Sequence, residues 1–270
     1  MGAAFLSRTA WMVAPNGGYT VLYLLQGRTM GVPLMCASHA ISGGVDTNSQ
    51  RLASEGYVVV PDVLSDAQCD LISGYLDVFQ AGGAGSRTLL GQPWCRELAG
   101  ELQLQASVLP SDAVAVQCTL FDKTPEKNWL VTIHQDLSVP VDCRVDSPNC
   151  SGWSEKEGSV YVQPPAHLLD TIVAVRVHID PCPPESGALR VVPGSHQFGR
   201  LDSAHADRLR NESGEVVVPV SRGGALVMRP LLLHGSSKAK LPSPRRVLHY
   251  LFGPAVLPYG LAWPAHAGSR

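Results

Sequence analysis

The alternation of apolar and polar positions divides the chain into a helical front part and a long succession of strands. "TNSQRLASEGYVVVPDVLS" (residues 47–65) reads as a short helix, a β-branched strand at Tyr57–Val60 and a turn at Pro61–Asp62. Ser65-Asp66-Ala67-Gln68 has the form of a capping box. It predicts a helix to about Phe79 with Cys69, Ile72 and Leu76 on one face. "AGGAGS" (residues 81–86) matches no phosphate loop and reads as a flexible connector, and a second helix is expected over about Trp94–Leu104. After it the chain becomes "VAVQCTLFD", "WLVTIH", "VYVQ", "IVAVRVHI", "ALRVVP", "EVVVPV", "ALVMRPLLLH" and "RRVLHYLF", with Gly or Pro at most joints. Short strands in that density, without βαβ alternation, predict a mainly β fold with flanking helices. The expected core is a jelly-roll (a cupin-like double-stranded β-helix) with the N-terminal helices packed on one sheet. In "IVAVRVHI", Val173, Val175, Val177 and Ile179 form an apolar face for those helices, and Ile172, Ala174, Arg176 and His178 face the interior.

Composition narrows the function classes. The chain has 270 residues, 45% apolar and 16% charged, the balance of a globular protein with a sizeable core. A formal net charge of −2 gives no electrostatic reason to expect nucleic acid or an anionic membrane as partner. No apolar run approaches the roughly 18–20 residues of a bilayer span. The seven cysteines include no CxxC pair and read as reduced thiols of a cytoplasmic protein, with Cys143 and Cys150 as a weak exception. Residues 1–45 lack the ordered regions of a secretory leader and read as an N-terminal extension, with Met30 an alternative start; residues 46–270 are expected to form one jelly-roll domain.

Two His-x-Asp pairs sit at strand ends, "HQD" at 134–136 and "HID" at 178–180. Residues i and i+2 of a strand share a face, so each pair presents a nitrogen and an oxygen donor side by side. Two His and one carboxylate on one side of an ion leave positions open, the pattern of non-haem Fe(II) oxygenases. His234, ending "ALVMRPLLLH" before the small, polar "GSSK", is the candidate third ligand. A jelly-roll oxygenase places four strands between the two ligand-bearing strands. Four predicted strands separate His134/Asp136 from the His234 strand, against two after His178/Asp180, so the count selects His134, Asp136 and His234 as both metal-binding and catalytic. If 2-oxoglutarate chelates the metal, its far carboxylate needs a cation, and Arg245 opens the next strand.

With "HQD", "RVVPGSH", "HGSSKAKLPSPRR" and "GYVVVPDVLSDAQ" in this order over roughly residues 50–252, the chain resembles the phytanoyl-CoA dioxygenase family of Fe(II)/2-oxoglutarate-dependent oxygenases. In that family the distal His precedes the clamping Arg by eleven positions, as His234 precedes Arg245. The resemblance also implies cosubstrate contacts for Ser236, Lys123 and Gln117. Arg176 stands where many members carry Trp, and "KAK" replaces the usual Asn after "HGS".

The expected activity is hydroxylation, or another oxidation, of an unactivated C–H in a small molecule, with Fe(II) as cofactor and 2-oxoglutarate and O2 as cosubstrates. Arg176 is a candidate contact for an anionic or polar substrate, its rival being a salt bridge to an internal carboxylate. Trp153, in the polar segment 142–158 expected to loop over the substrate, is a candidate wall. His178, Asp180, His196 and His249 read as structural. The competing class is a non-catalytic jelly-roll that binds or senses a metal and small ligand, and a third is a cupin-like metalloenzyme without 2-oxoglutarate.

Overall fold

The computed structural model describes residues 11–13, 19–21, 47–79, 85–105, 108–240 and 244–265. Contacts divide the chain into two compact units, Met1–Gly44 and Val45–Arg270. In the first, β1 (Trp11–Val13) pairs antiparallel with β2 (Tyr19–Val21). The rest of the expected extension and residues 81–84 of the expected connector lie outside the described residues. No helix among the described residues is long and apolar enough to cross a membrane.

The second unit opens with α1 (Asn48–Ser54), β3 (Tyr57–Val60), α2 (Asp66–Val78), β4 (Gly85–Ser86), α3 (Pro93–Gln105) and β5 (Ala113–Lys123). Next come β6 (Val131–His134), β7 (Val139–Val141), β8 (Ser151–Lys156), β9 (Ser159–Gln163), the one-turn α4 (Ala166–Leu169) and β10 (Val173–His178). Then follow β11 (Leu189–Val191), α5 (Ser203–Ser213), β12 (Val216–Val218), β13 (Ala225–Met228), β14 (His234–Ser236) and β15 (Arg245–Pro254). The capping box at Ser65 forms as its sequence predicts: the hydroxyl accepts from the Gln68 N–H at 3.3 Å, and the Gln68 side chain accepts from the Ser65 N–H at 3.0 Å.

Three antiparallel sheets result, in the orders β3-β13-β10-β15-β5-β4, β12-β11-β14-β6 and β7-β9-β8. Strand alternation sorts the large sheet into two faces. Val173, Val175, Val177, Leu248 and Tyr250 pack outward against Leu52 of α1, Ile72 and Leu76 of α2 and Leu98 and Leu102 of α3. Ala174, Leu226, Met228 and Leu251 face inward and meet Leu189, Val191, Val218 and Val162 of the smaller sheets. This is the mainly β, jelly-roll architecture with helices on one sheet.

Two readings of the strand pattern need correction. The apolar run "ALVMRPLLLH" is not one strand: β13 ends at Met228, the chain turns, and β14 begins at His234 in a different sheet. The turn is hidden because Leu231, Leu232 and Leu233 are buried, so apolarity continues through a corner. The polar segment 142–158 contains β8, which hydrogen bonds to β9 as a hairpin. Seven strands, β7 to β13, therefore separate β6 from β14 among the described residues, and the four-strand count that singled out His134/Asp136 does not hold as counted.

Leu248 is fully buried between sheet and helices, whereas Val217 on β12 is exposed. Leu248→Ala is expected to lower unfolding free energy by about 2–5 kcal/mol, and Val217→Ala to change it by no more than about 0.5 kcal/mol, both read from urea denaturation midpoints.

Candidate active site

β6 and β14 are neighbours in the four-stranded sheet, with His134 directly opposite His234 and ring centroids 4.4 Å apart. Gly235 permits this approach: a Cβ there would lie 2.8 Å from the Val131 carbonyl oxygen and 3.2 Å from the Ile133 nitrogen. Gln135, between the two candidate ligands of "HQD", anchors the strand end. Its amide nitrogen donates to the carbonyls of Gly199 and Leu231 at 2.8 and 2.7 Å, and its oxygen accepts from the Leu201 N–H at 2.9 Å. The Asp136 N–H donates to the Pro230 carbonyl at 2.9 Å. The corner between β13 and β14 thus holds Asp136 as well as leading into His234.

Both imidazoles are oriented by their own strands. Nδ1 of His134 lies 2.8 Å from the Thr132 carbonyl oxygen, and Nδ1 of His234 lies 2.9 Å from that of Leu232. A carbonyl oxygen only accepts, so each ring carries its proton on Nδ1 and, when neutral, turns an Nε2 lone pair inward. His134 Nε2 is 3.5 Å from one Asp136 oxygen and His234 Nε2 is 3.6 Å from the other. These gaps exceed hydrogen-bond lengths. The three ligand atoms lie within 4.8 Å of one another, a spacing that can hold one ion, and among the described residues no other cluster of this kind occurs. Burial pushes His234 down to about 4, which keeps it neutral at pH 7. Burial alone would raise Asp136, but the surrounding His234, His134 and His249 hold it far below the usual carboxylate range. The arrangement is an N2O donor set with one anionic member.

The three residues border a cavity of about 410 Å³. Its walls include Thr119 and Phe121 of β5, His249 and Leu251 of β15, and the aromatic rings of Trp129 and Tyr161. Arg245 also faces it and is buried: Nη1 donates to the Gly187 carbonyl at 2.6 Å, while Nε has no partner among the described residues. Ser236 is buried in the wall. Gln117 donates to the Thr119 hydroxyl at 2.7 Å and accepts from the Tyr161 hydroxyl at 2.8 Å. Lys123 pairs with Arg245 in the strand register, but its Nζ donates to the Ser237 carbonyl at 2.9 Å, and it is not among the lining residues. Burial, then the charge of Arg245, pulls Lys123 down to about 8.

Arg176 points into the cavity from β10, where Nη1 meets His249 Nδ1 at 3.0 Å. Trp153 packs with the inter-sheet cluster, with the Arg144 guanidinium 6.0 Å from its ring, and does not line the cavity. The other His-x-Asp pair is divided between the two faces. His178 is buried with neither ring nitrogen bonded among the described residues, whereas Asp180 accepts from the backbone N–H and Nε of Arg246 at 2.8 and 2.9 Å. Arg246 continues to Asp77 and Ser73 of α2, so Asp180 fastens the sheet to a helix. That pairing, rather than a strand count, separates the two motifs.

The family model of phytanoyl-CoA dioxygenase matches residues 89–247, more than half of the chain. The chain belongs to the phytanoyl-CoA dioxygenase family. Its members are Fe(II)/2-oxoglutarate-dependent enzymes. A search of curated proteins found no match. Among solved structures, the chain is similar to SnoK, a non-haem α-ketoglutarate-dependent carbocyclase from nogalamycin biosynthesis (16% identity, 77% of this chain and 83% of that one, TM-score 0.57). It is similar also to SnoN, an epimerase from the same biosynthesis (18% identity, 81% and 84% covered, TM-score 0.57). HygX from Streptomyces hygroscopicus, crystallised with nickel and 2-oxoglutarate, aligns at 18% identity over 76% of this chain and 85% of its own, with a TM-score of 0.55. These likenesses show the fold.

The cavity of this phytanoyl-CoA dioxygenase family member fits both groups the family uses. Two Nδ1-protonated imidazoles with inward lone pairs and an ionised carboxylate suit a first-row divalent metal. The buried Arg245 Nε without a partner is a donor awaiting an acceptor, and a carboxylate supplies one. Sequence reasoning missed the aromatic wall of Trp129 and Tyr161, and also how the mouth is fastened. Glu157, at the tip of the β8–β9 hairpin with φ of 51°, accepts from Arg87 Nη1, the Arg87 N–H and the Ser86 hydroxyl, each at 2.9 Å. Glu157-Gly158 ahead of an apolar strand signals the turn; nothing in the sequence signals a partner seventy positions earlier. His249, expected to be structural, meets Arg176 through Nδ1, and its Nε2 lies 3.9 Å from Asp136.

A side chain at 235 must push β6 away from β14. Gly235→Ala is expected to lower stability by about 1–3 kcal/mol in urea denaturation, with the loss concentrated in faster amide exchange of residues 131–136.

Proposed function

We propose that the chain is an Fe(II)/2-oxoglutarate-dependent dioxygenase that hydroxylates, or otherwise oxidises, an unactivated C–H of a small molecule. The observation that carries this reading is the inward convergence of the His134, Asp136 and His234 ligand atoms beside a buried arginine with a free donor. In this assignment His134 and His234 supply neutral nitrogens and Asp136 one negative charge, leaving further positions for cosubstrates. Bound Fe(II) with 2-oxoglutarate supplies the O2-dependent oxidising chemistry, with conversion of 2-oxoglutarate to succinate and CO2.

The protein's own residues bind, orient and exclude water. Arg245 takes the far carboxylate of 2-oxoglutarate, held in position by Gly187, and Ser236 on the neighbouring sheet assists from the wall. Lys123 supports this end indirectly, fixing Ser237 next to Ser236. Gln117, oriented by Thr119 and Tyr161, offers polar contact from β5, the strand beside that of Arg245. Phe121, Trp129, Leu137 and Leu251 make part of the lining apolar, which favours a partly hydrophobic small molecule. The relatives bear on substrate class: HygX has been crystallised with hygromycin B and SnoN with a nogalamycin compound, both small molecules. Cytoplasmic residence is part of the proposal, supported by six free thiols among the described residues, Cys143 and Cys150 included.

The test loads purified protein anaerobically with Fe(II) and 2-oxoglutarate, then admits air and measures succinate. Succinate formation is the expected result, and a complex unchanged by air would instead identify a binding or sensing protein. His234→Ala is expected to abolish stoichiometric Fe(II) binding. Arg245→Ala should retain the metal but weaken 2-oxoglutarate by about 30- to 1,000-fold, the roughly 2–4 kcal/mol cost of removing one partner of a buried charge pair. Wild-type affinity in Arg245→Ala would refute the cosubstrate assignment.

A further inference from the structure

Among the described residues two arginines are buried, Arg176 and Arg245, and neither meets a carboxylate. Other arginines with less burial do: Arg87 pairs with Glu157, Arg190 with Glu215, Arg222 with Asp70 and Arg246 with Asp180. The two buried side chains share one pattern. In each, Nη1 is held by the protein, at His249 Nδ1 in one and the Gly187 carbonyl in the other, and Nε is buried without a partner. Nη2 of neither makes a hydrogen bond among the described residues, so the edge formed by Nε and Nη2 is unused there in both, and both side chains line the cavity. That edge is one of the two arginine faces that match a carboxylate bidentately.

Arg176 is fixed in this pose from two sides. Its guanidinium carbon lies 5.1 Å from the centre of the Phe121 ring, and its strand partner in the register is His249. A guanidinium only donates, so His249 Nδ1 accepts, and Nε2 carries the proton on the side of Asp136. The internal carboxylate that would make Arg176 a structural ion pair is not present among the described residues. Among the described residues Asp136 is the one acid in the cavity wall, which also carries Arg87, Lys156, Arg176 and Arg245, with Lys123 buried behind it. Arg87 is matched by Glu157. On the reading above, a ferrous ion with Asp136 and dianionic 2-oxoglutarate with Arg245 leave Arg176 and Lys123 as uncompensated interior cations. A buried cation without an anion is costly, and the cost falls when a ligand brings the counter-charge.

We propose that the Nε–Nη2 edge of Arg176 is a second carboxylate-binding fork, distinct from Arg245, and that it takes a carboxylate of the primary substrate. The substrate class is therefore a small carboxylic acid, with its apolar part against Phe121, Trp129 and Leu251. The charge balance rests on the Fe(II)/2-oxoglutarate reading; the free edge of Arg176 does not.

The experiment uses the full chain loaded with Zn(II) in place of Fe(II) and saturated with 2-oxoglutarate. A series of monocarboxylates from acetate to benzoate, each beside its neutral amide, is titrated by calorimetry. At least one acid should bind the wild-type complex ten-fold or more tightly than its amide. Arg176→Met and the more polar Arg176→Gln should erase that preference while leaving the 2-oxoglutarate Kd within about two-fold, with thermal melts showing that the variants are folded. Acids and amides binding alike to the wild type, a result that needs no variant, overturns the proposal. So does a ten-fold weaker 2-oxoglutarate Kd in both variants, which assigns the fork to the cosubstrate. If the wild type takes up no 2-oxoglutarate, the dioxygenase reading fails separately, and the same titration on metal-free protein still decides whether Arg176 selects a carboxylate.

Discussion

The close antiparallel pairing of β6 with β14 is the contact on which the site depends. It sets His134 opposite His234, and it exists because position 235 has no side chain to hold the strands apart. Neither strand is long: β6 has four residues and β14 three. Their positions are therefore fixed less by their own ladder than by what ties their ends. Gln135 reaches the carbonyls of Gly199 and Leu231, and Asp136 donates to Pro230. The corner before β14 is fixed in turn by the Ser195 hydroxyl, which accepts from the Leu233 N–H at 2.8 Å. Preorganised donors of this kind lower the reorganisation needed when a metal binds, since rotamers and tautomers are set beforehand.

The large sheet performs a complementary task. Its helix-facing side is mostly apolar, with the Tyr250 hydroxyl bonded to the Cys95 carbonyl and Arg246 tied to α2, which makes it a stable platform. Its inner side changes character along β5, β10 and β15, from Leu251 and Ala174 toward Gln117, Thr119, Arg176, Arg245 and His249. A bulge helps to make that change. Leu251 pairs with Gln117 and Phe252 with Ala115, so Val116 is the extra residue, and the face presented by β5 is reset at the point where polar side chains must turn inward.

Much of this was legible in the sequence where one side chain reports on one face. Val173, Val175 and Val177 announce a surface to be covered, and the alternate residues Ala174 and Arg176 announce the interior. The capping box at Ser65 fixed a helix start, and the pairing of "HQD" with a later His was visible as a donor set. Illegible were features that depend on corners and on distant partners. The run through Leu231–Leu233 stays apolar across a turn because these residues are buried, so the pattern shows one strand where there are two. The segment Ser151–Lys156 lacks apolar alternation because it belongs to a hairpin held by backbone bonds to β9 and, at its tip, by Glu157. No local pattern tells Asp180 that its partner will be Arg246.

The interior charges connect stability to ligand binding. Burial, followed by the charge of Arg245, lowers Arg176 to about 10, and burial lowers Lys123 to about 8, so folding takes each from water in its less favoured charged form. For both groups the folded pKa lies below the ordinary value. Charging them therefore works against the folded state, an opposition that grows as pH falls through the window between the two values. His178, lowered to about 3 by burial beside the same arginines, stays neutral and adds no further charge. A ligand anion placed among these cations lowers the cost of keeping them charged, and by linkage any ligand that binds only the folded chain stabilises it. If Arg176 takes a carboxylate as proposed, the same geometry that leaves the cavity electrostatically unfavourable without ligands favours anions, since neutral molecules of equal shape bring no counter-charge.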